Sequence, residues 1–442
     1  GLLSFSSFWA LLALLHSCTL LVYLPLWDSY RNFLSEKWDF QPKAEVAISE
    51  IIASKFQNIG FFDKLTMTKI PDFSFSLATR ICFGSDSIKN LGRELSDLAM
   101  RQVLIVTDPG IIHAGIVQLA INSLNSSGLS HITFQDVASN PTAENSEQAG
   151  LIARTEQCDA IVAIGGGSAI DAAKGAAIIA VCDGLISEYE GWKNIPKQPL
   201  PIIAIPTTAG TGSEVSYWAV ISNSAEHRKM LIGSPKIAPC IAWLDPTLTY
   251  SLPPNLTAYT GIDALTHAIE AYTSTASNPI SDALALAAIE KIGQFLVKAV
   301  ESPKDEEARS NMLLASTMAA AAFNSADLGA VHCISEALGG LYDIHHGLAN
   351  AVVLLAVMEY NAPAVPEKYA KIAFALGVKD GNAVHAVSNL LQPMNVPRLR
   401  DLGIRQEDLP TIASLAAQNI SVPSNPREIH EENFLDLLMN TF

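Results

Sequence analysis

Between Ala78 and Thr208, short uninterrupted apolar runs alternate with stretches of helical periodicity. The apolar runs are "QVLIVTD" (102–108), "DAIVAIGGGS" (159–168) and "LPIIAIPTT" (200–208), with "ATRICFG" and "HITFQDV" as further strands. The helical stretches are "SIKNLGRELSDLAM", "IIHAGIVQLAINSL", "TAENSEQAGLIARTEQ" and "AIDAAKGAAIIAV". A strand that faces water on one side alternates apolar and polar residues, whereas one covered on both sides is apolar throughout. The pattern therefore predicts a parallel sheet with helices on both faces. After "WLDPTLTYSLPPN" the strand signals fade, and "ISDALALAAIEKIGQFLVKAV" and "SNMLLASTMAAAAF" have helical periodicity. Pro253 and Pro254 break regular structure at the change. The expected fold class is α/β plus all-α, with an α/β domain over 72–252 and a helical domain over 253–442.

A chain of 442 residues exceeds what one hydrophobic core usually serves, in keeping with two domains. Its formal net charge of −16 repels nucleic acid and anionic lipid, which excludes general nucleic-acid binding. Cys18, Cys82, Cys158, Cys182, Cys240 and Cys333 form no CxxC pair. They read as reduced, mostly buried thiols, and a cytoplasmic location is expected. Residues 1–71 precede every motif and form an N-terminal extension. Its first 27 residues carry no charged side chain and are long enough to span a bilayer as a helix. The run lacks the basic leading region of a signal peptide. Membrane contact through residues 1–27, a remnant of targeting sequence and an extension without a role in activity all remain open.

Two turns follow buried strands. In "AIGGGSAIDAAK", Gly165, Gly166, Gly167 and Ser168 lead from a strand into a helix. Glycine lets backbone approach a ligand closely, and a helix start offers free N–H groups to a phosphate. A tight turn with no ligand is the alternative. "IPTTAGTGSEVS", 205–216, is a second turn, rich in hydroxyls. Two such loops at the carboxyl ends of parallel strands mark a dinucleotide crevice. Asp108 also ends a strand, where it either accepts hydrogen bonds from a ribose or caps the turn before Pro109. On the first reading its charge favours NAD over NADP.

"GIDALTHAIEAY" places Asp263 and His267 four apart, on one face of a helix. His332 and His346 flank a glycine-containing link in "HCISEALGGLYDIHHGLANAV". One carboxylate and three imidazoles suit Fe2+ or Zn2+ better than Mg2+ or Ca2+. Taken singly, each histidine reads as a hydrogen-bonded core or surface residue rather than a ligand.

Together "GGGSAIDAAK", "PTTAGTGSEVS", "GIDALTHAIEAY" and "HCISEALGGLYDIHHGLANAV" resemble the iron-containing (group III) alcohol dehydrogenases. The resemblance covers about residues 72–442 and continues into "NPREIHEENFLDLL". It implies a Rossmann-like NAD-binding domain facing a helical metal-binding domain, the dehydroquinate-synthase-like architecture. It implies a dimeric enzyme that moves a hydride reversibly between NAD(P) and a primary or secondary alcohol or its carbonyl compound. The implied metal, Fe2+ or alternatively Zn2+, falls to Asp263, His267, His332 and His346. The implied cofactor contacts are Asp108, Asn140, Gly166, Gly167, Ser168, Asp171, Thr207, Thr208, Ser216 and Lys229. Asp263, His267 and Glu336 are the expected catalytic residues; for Glu336 the readings are a proton relay, a fifth ligand, a group that tunes the metal from behind its ligands, a change that weakens activity, or a side chain turned away onto a basic neighbour. Glu336 departs from the family, which commonly has histidine four residues after the third ligand; as a carboxylate beside a cation it is expected to stay ionised. A lyase of the dehydroquinate-synthase type and an impaired relative acting as a scaffold are the competing readings.

Overall fold

The computed structural model describes residues 72–224 and 228–442. The extension over 1–71, with the charge-free run 1–27, lies outside the described residues, as does His227. Among the described residues no helix is long and apolar enough to cross a membrane.

The strands are β1 (Arg80–Phe83), β2 (Gln102–Val106), β3 (Ser130–Phe134), β4 (Ala160–Gly165), β5 (Gly191–Trp192), β6 (Ile202–Pro206), β7 (Trp218–Asn223), β8 (Arg228–Gly233) and β9 (Ile241–Leu244). Six of them form a sheet of order β1-β9-β6-β4-β2-β3, parallel throughout. The helices of this part are α1 (Leu91–Asp97), α2 (Pro109–His113), α3 (Ile116–Ser126), α4 (Ala143–Thr155) and α5 (Gly167–Ile179).

Successive side chains of a strand point to opposite faces. Val103, Ile105, Val162, Ile164, Ile203 and Ile205 accordingly pack on one face with Leu91 and Leu95 of α1 and Val117 and Leu124 of α3. Leu104, Val106, Ile161, Ala163, Ile202 and Ala204 pack on the other with Ala149 and Ala153 of α4 and Ile170 and Ala173 of α5. Burial on both faces is the reason these strands read as unbroken apolar runs.

Three details depart from the sequence reading. The helix expected over "IIHAGIVQLAINSL" is two helices, because Gly115 takes φ +74 between α2 and α3. The strand expected over "HITFQDV" ends at Phe134. β7 and β8 form an antiparallel pair joined by β5 into a second sheet, and β9 inserts beside β6. β7 and β8 carry polar residues and are only partly buried, and β9 is apolar but only four residues long, so no long apolar run announces them.

The helical part comprises α6 (Pro254–Thr273), α7 (Pro279–Glu301), α8 (Glu306–Ala326), α9 (Ala330–Tyr342), α10 (His346–Asn361), α11 (Pro366–Ala375), α12 (Ala383–Leu391), α13 (Leu409–Ala417) and α14 (Glu431–Thr441). α6 is its axis. From Thr257 to Thr273 nearly every residue of α6 is buried, and the helix packs against α7, α8 and α10. A helix buried all round normally lacks charged side chains, so Asp263, His267 and Glu270 stand out there.

Candidate metal and dinucleotide site

Asp263 and His267 lie one turn apart on α6; His332 comes from the first turn of α9 and His346 from the first residue of α10. Asp263 Oδ1 is 3.7 Å from His267 Nε2, 3.8 Å from His332 Nε2 and 3.7 Å from His346 Nε2. One ligand atom from each of the four lies within 4.8 Å of all the others. Metal–nitrogen bonds of about 2.1 Å in a tetrahedron put donor atoms roughly 3.4 Å apart. The donor set therefore fits one small divalent ion with little movement. The Asp263, His267 and His332 side chains are 5% exposed or less, whereas His346 is 29% exposed. The site thus opens on the His346 side.

Close approach of α10 to α6 depends on Gly347. A Cβ there would lie 2.3 Å from the Tyr259 carbonyl oxygen and 3.3 Å from Asp263 Cβ. His346 is delivered beside Asp263 because its neighbour has no side chain.

The electrostatics suit cation binding. Burial lowers the His267 imidazole to about 4, against the pull of Asp263. Burial likewise holds His346 well below the ordinary histidine value. Both are therefore neutral near pH 7, with lone pairs free. At Asp263 burial favours the neutral acid, but the nearby imidazoles His267, His346 and His332 outweigh it, and the net direction is down. At His332 burial is outweighed by the hydrogen bond and charge of Glu270, and the net direction is up.

Two buried polar residues at the site were not singled out from sequence. Glu270, three residues after His267, has Oε2 2.6 Å from His332 Nδ1. Asn350, four residues after His346, donates from Nδ2 to Asp263 Oδ1 at 2.7 Å. Asn350 Oδ1 is buried without a hydrogen-bond partner. Helical spacing from a proposed ligand was the available signal in both cases. Phe323 of α8 also packs on the site, its ring 4.8 Å from that of His267.

The sheet contributes the second half. Asp108, the glycine turn and the hydroxyl-rich turn lie at the carboxyl ends of β2, β4 and β6, three neighbouring strands. β3 lies on one side of β2 and β4 on the other, so the chain changes direction at the β2–β4 boundary. Such switch points are where open parallel sheets bind ligands. The two turns pack together: a Cβ on Gly166 would lie 3.3 Å from Thr208 Cγ2, and one on Gly167 2.7 Å from Thr211 Cγ2. Gly212, at φ +60, brings the second turn onto α8 near Ala320. Thr207 Oγ1 is buried without a hydrogen-bond partner.

Several expected cofactor residues have partners within the protein. Asp108 Oδ1 caps α2, accepting from Gly110 N at 2.9 Å and Ile111 N at 3.1 Å; its Oδ2 lies beside Gly165. Asp171 accepts from Ser213 Oγ and, at 3.0 Å, from Val220 N. Lys174, fully buried, donates to Ser213 Oγ at 2.8 Å, Ser216 Oγ at 3.0 Å and the Trp218 carbonyl at 2.6 Å. Asp171 and Ser216 thus clamp the second turn to α5. Ser168 Oγ donates to the Ser139 carbonyl. Lys229 Nζ donates to Asn140 Oδ1 at 3.1 Å, and Asn140 Nδ2 donates to Asp343 Oδ1.

Glu336 is one turn beyond His332 on α9. Its Oε2 accepts from Asn419 Nδ2 at 2.6 Å. Burial raises its pKa, with His332, the Asn419 hydrogen bond and Lys229 opposing. Among these protein groups, loss of water outweighs the nearby positive charge.

Two family models match the chain: "Iron-containing alcohol dehydrogenase" over residues 78–246 and "Fe-containing alcohol dehydrogenase family, C-terminal" over 257–442. Alcohol dehydrogenase 4 of Schizosaccharomyces pombe is 40% identical over 370 residues, 82% of this chain and 88% of that protein. The crystal structure of a 1,3-propanediol oxidoreductase superposes with TM-score 0.82 at 38% identity, covering 84% of this chain and 100% of that one. A sulfoacetaldehyde reductase from Bifidobacterium kashiwanohense, solved in complex with NAD+, superposes with TM-score 0.78 at 31% identity, covering 84% and 99%.

Proposed function

The chain belongs to the iron-containing alcohol dehydrogenase family, and on that premise we propose which of its residues do the work. The protein is an NAD-dependent oxidoreductase that interconverts an alcohol and its carbonyl compound. Both family models are alcohol dehydrogenase models, and neither the lyase reading nor the scaffold reading gains support. Residues 72–252 bind the dinucleotide and residues 253–442 the metal.

When bound, the divalent ion supplies Lewis acidity toward the substrate oxygen and the nicotinamide supplies hydride exchange. Asp263, His267, His332 and His346 hold the ion, and Fe2+ is proposed, with Zn2+ the alternative that the same donors accept. The convergence of these four donor atoms within 4.8 Å is the observation that carries the reading. Gly166, Gly167, Ser168, Thr207 and Thr208 line the phosphate crevice, where the free N–H groups at the start of α5 favour anions. Asp171 and Ser216 keep the two turns in register. Asn140 and Lys229, linked to each other, close the crevice beside Asp343. Glu336 handles the proton near the reacting oxygen. The enzyme acts on a small-molecule substrate, as a homodimer by resemblance to the family, and the unpaired cysteines among its described residues support a cytoplasmic location.

Loading the apoprotein with Fe2+ or Zn2+ and following NADH formation against a panel of short alcohols tests the function. No turnover in either direction with any alcohol or aldehyde would overturn it.

NAD is expected to be preferred to NADP, because the Asp108 charge would face the extra phosphate. Asp108→Asn keeps a capping oxygen for α2 and removes the charge. The kcat/KM ratio of NAD to NADP should fall about tenfold, which corresponds to a repulsion of about 1.4 kcal/mol, toward the solvent-exposed end of the Coulomb range. A wild type that uses NADP as well as NAD would reduce Asp108 to a cap.

Gly347→Ala is expected to force the start of α10 off α6, since the new Cβ meets backbone. Overpacking of this kind costs about 1–3 kcal/mol. A lower Tm and at least tenfold (~1.4 kcal/mol) weaker Zn2+ binding by calorimetry are expected. Wild-type values for both would show that the contact relaxes freely.

A further inference from the structure

α9 begins at Ala330, two residues before His332. The first N–H groups of a helix have no acceptor within it. Here Ala330 N donates to Asn425 Oδ1 at 3.2 Å, and Val331 N donates to Glu270 Oε1 at 2.7 Å. The other oxygen of the same carboxylate, Oε2, lies 2.6 Å from His332 Nδ1. Glu270 is 5% exposed, so water does not compete for either oxygen. One buried carboxylate thus ties the start of a helix to the imidazole on its first turn.

This arrangement decides which nitrogen of His332 carries the proton. A carboxylate facing Nδ1 stabilises the Nδ1–H tautomer and leaves the lone pair on Nε2. His332 Nε2 is the atom that faces Asp263 Oδ1, at 3.8 Å. The ring angle is fixed as well, because Glu270 is anchored on α6 beside His267 and bonded to the backbone of α9. Carboxylates placed behind metal-binding histidines orient the ring and raise its basicity.

We propose that Glu270 is a positioning residue: it sets the tautomer and orientation of His332 so that α6 and α9 present their donor atoms to one ion together. The inference rests on the four-residue metal site proposed above. Asn425, in the "NPREIHEEN" stretch, serves the same helix start without touching His332. It accepts from Ala330 N, and its amide exchanges hydrogen bonds of 2.9 Å with Asn361 in both directions.

Glu270→Gln is close in shape but cannot accept at both positions. Its NH2 group must face either Val331 N–H or His332 Nδ1–H. Facing His332, it drives the imidazole proton to Nε2 and blocks the donor atom. Optical titration of the full-length apoprotein with Co2+ against a competing chelator should show about 10- to 100-fold weaker binding in Glu270→Gln than in wild type. The circular dichroism of the variant should be unchanged. Asn425→Ala, which disturbs the same helix start, should bind Co2+ within threefold of wild type. Equal Co2+ affinity in wild type and Glu270→Gln, or equal weakening in both variants, would overturn the proposal. If Glu270→Gln does not fold, histidine 15N NMR of the Zn2+-loaded wild type decides: Nδ1–H at His332 supports the proposal and Nε2–H overturns it. Failure of the metal site itself is distinct, because wild type and His267→Ala would then titrate alike.

Discussion

His267→Ala is expected to lose both the metal and the turnover. His267 is buried on α6, with Nε2 3.7 Å from Asp263 Oδ1 and its ring against those of His332 and Phe323. Its imidazole is neutral well into the acid range, so its lone pair is available without deprotonation. Alanine leaves three donors, arranged around the space the ring occupied. Metal content should fall below one ion per chain. Turnover should fall at least about a thousandfold, since a catalytic cation supplies several kcal/mol of charge stabilisation and each 1.36 kcal/mol is tenfold in rate. Elemental analysis and NADH absorbance measure the two quantities, with circular dichroism to establish that the variant is folded. A folded variant with stoichiometric metal and wild-type turnover would end the assignment.

Glu336→Gln should lower turnover by about a hundredfold or more, the usual scale of general acid–base help. Glutamine keeps an acceptor for Asn419 and loses the titrating proton. The sign of the pH dependence follows from burial, which raises the Glu336 pKa. A base must be ionised, so wild-type turnover should fall as pH drops through that raised value. The glutamine variant should lack this limb of the profile. Stability should move the other way. A carboxyl whose folded pKa exceeds its unfolded one contributes stability below the unfolded pKa and loses it as pH rises through the folded one. Glutamine removes that burden, so the Tm of the variant near pH 7 should not be lower than that of wild type. Glu336→His, which restores the residue common in the family, should keep or raise activity. Equal turnover of wild type and Glu336→Gln across the pH range would exclude the catalytic role, and loss of metal in the variant would make Glu336 a ligand.

The sheet was legible because strands covered on both faces leave an unbroken apolar signature, as in "QVLIV" and "AIVAIG". β7, β8 and β9 left none, being short, part-polar or exposed on one side. Of the site, the Asp263–His267 pair was legible because helical periodicity alone puts both on one face. Asp108 was only half legible: its charge at the end of β2 is local information, whereas its service as the cap of α2 depends on the turn geometry at Pro109.

The sequence by itself determined the doubly covered strands and the long helices, the two glycine-bearing turns and the residue types able to bind a divalent ion. It could do so because each follows from periodicity or chemistry within a few residues. Only the tertiary structure decided which helix faces meet. His332 reaches Asp263 from α9, and His346 reaches it from α10 across the glycine at 347. Glu270 finds His332 although 62 residues separate them. Asn140 and Lys229 touch although 89 residues separate them. Such contacts are set by how helices and strands pack around a common core, and local periodicity records which side of a helix is buried but not what it is buried against.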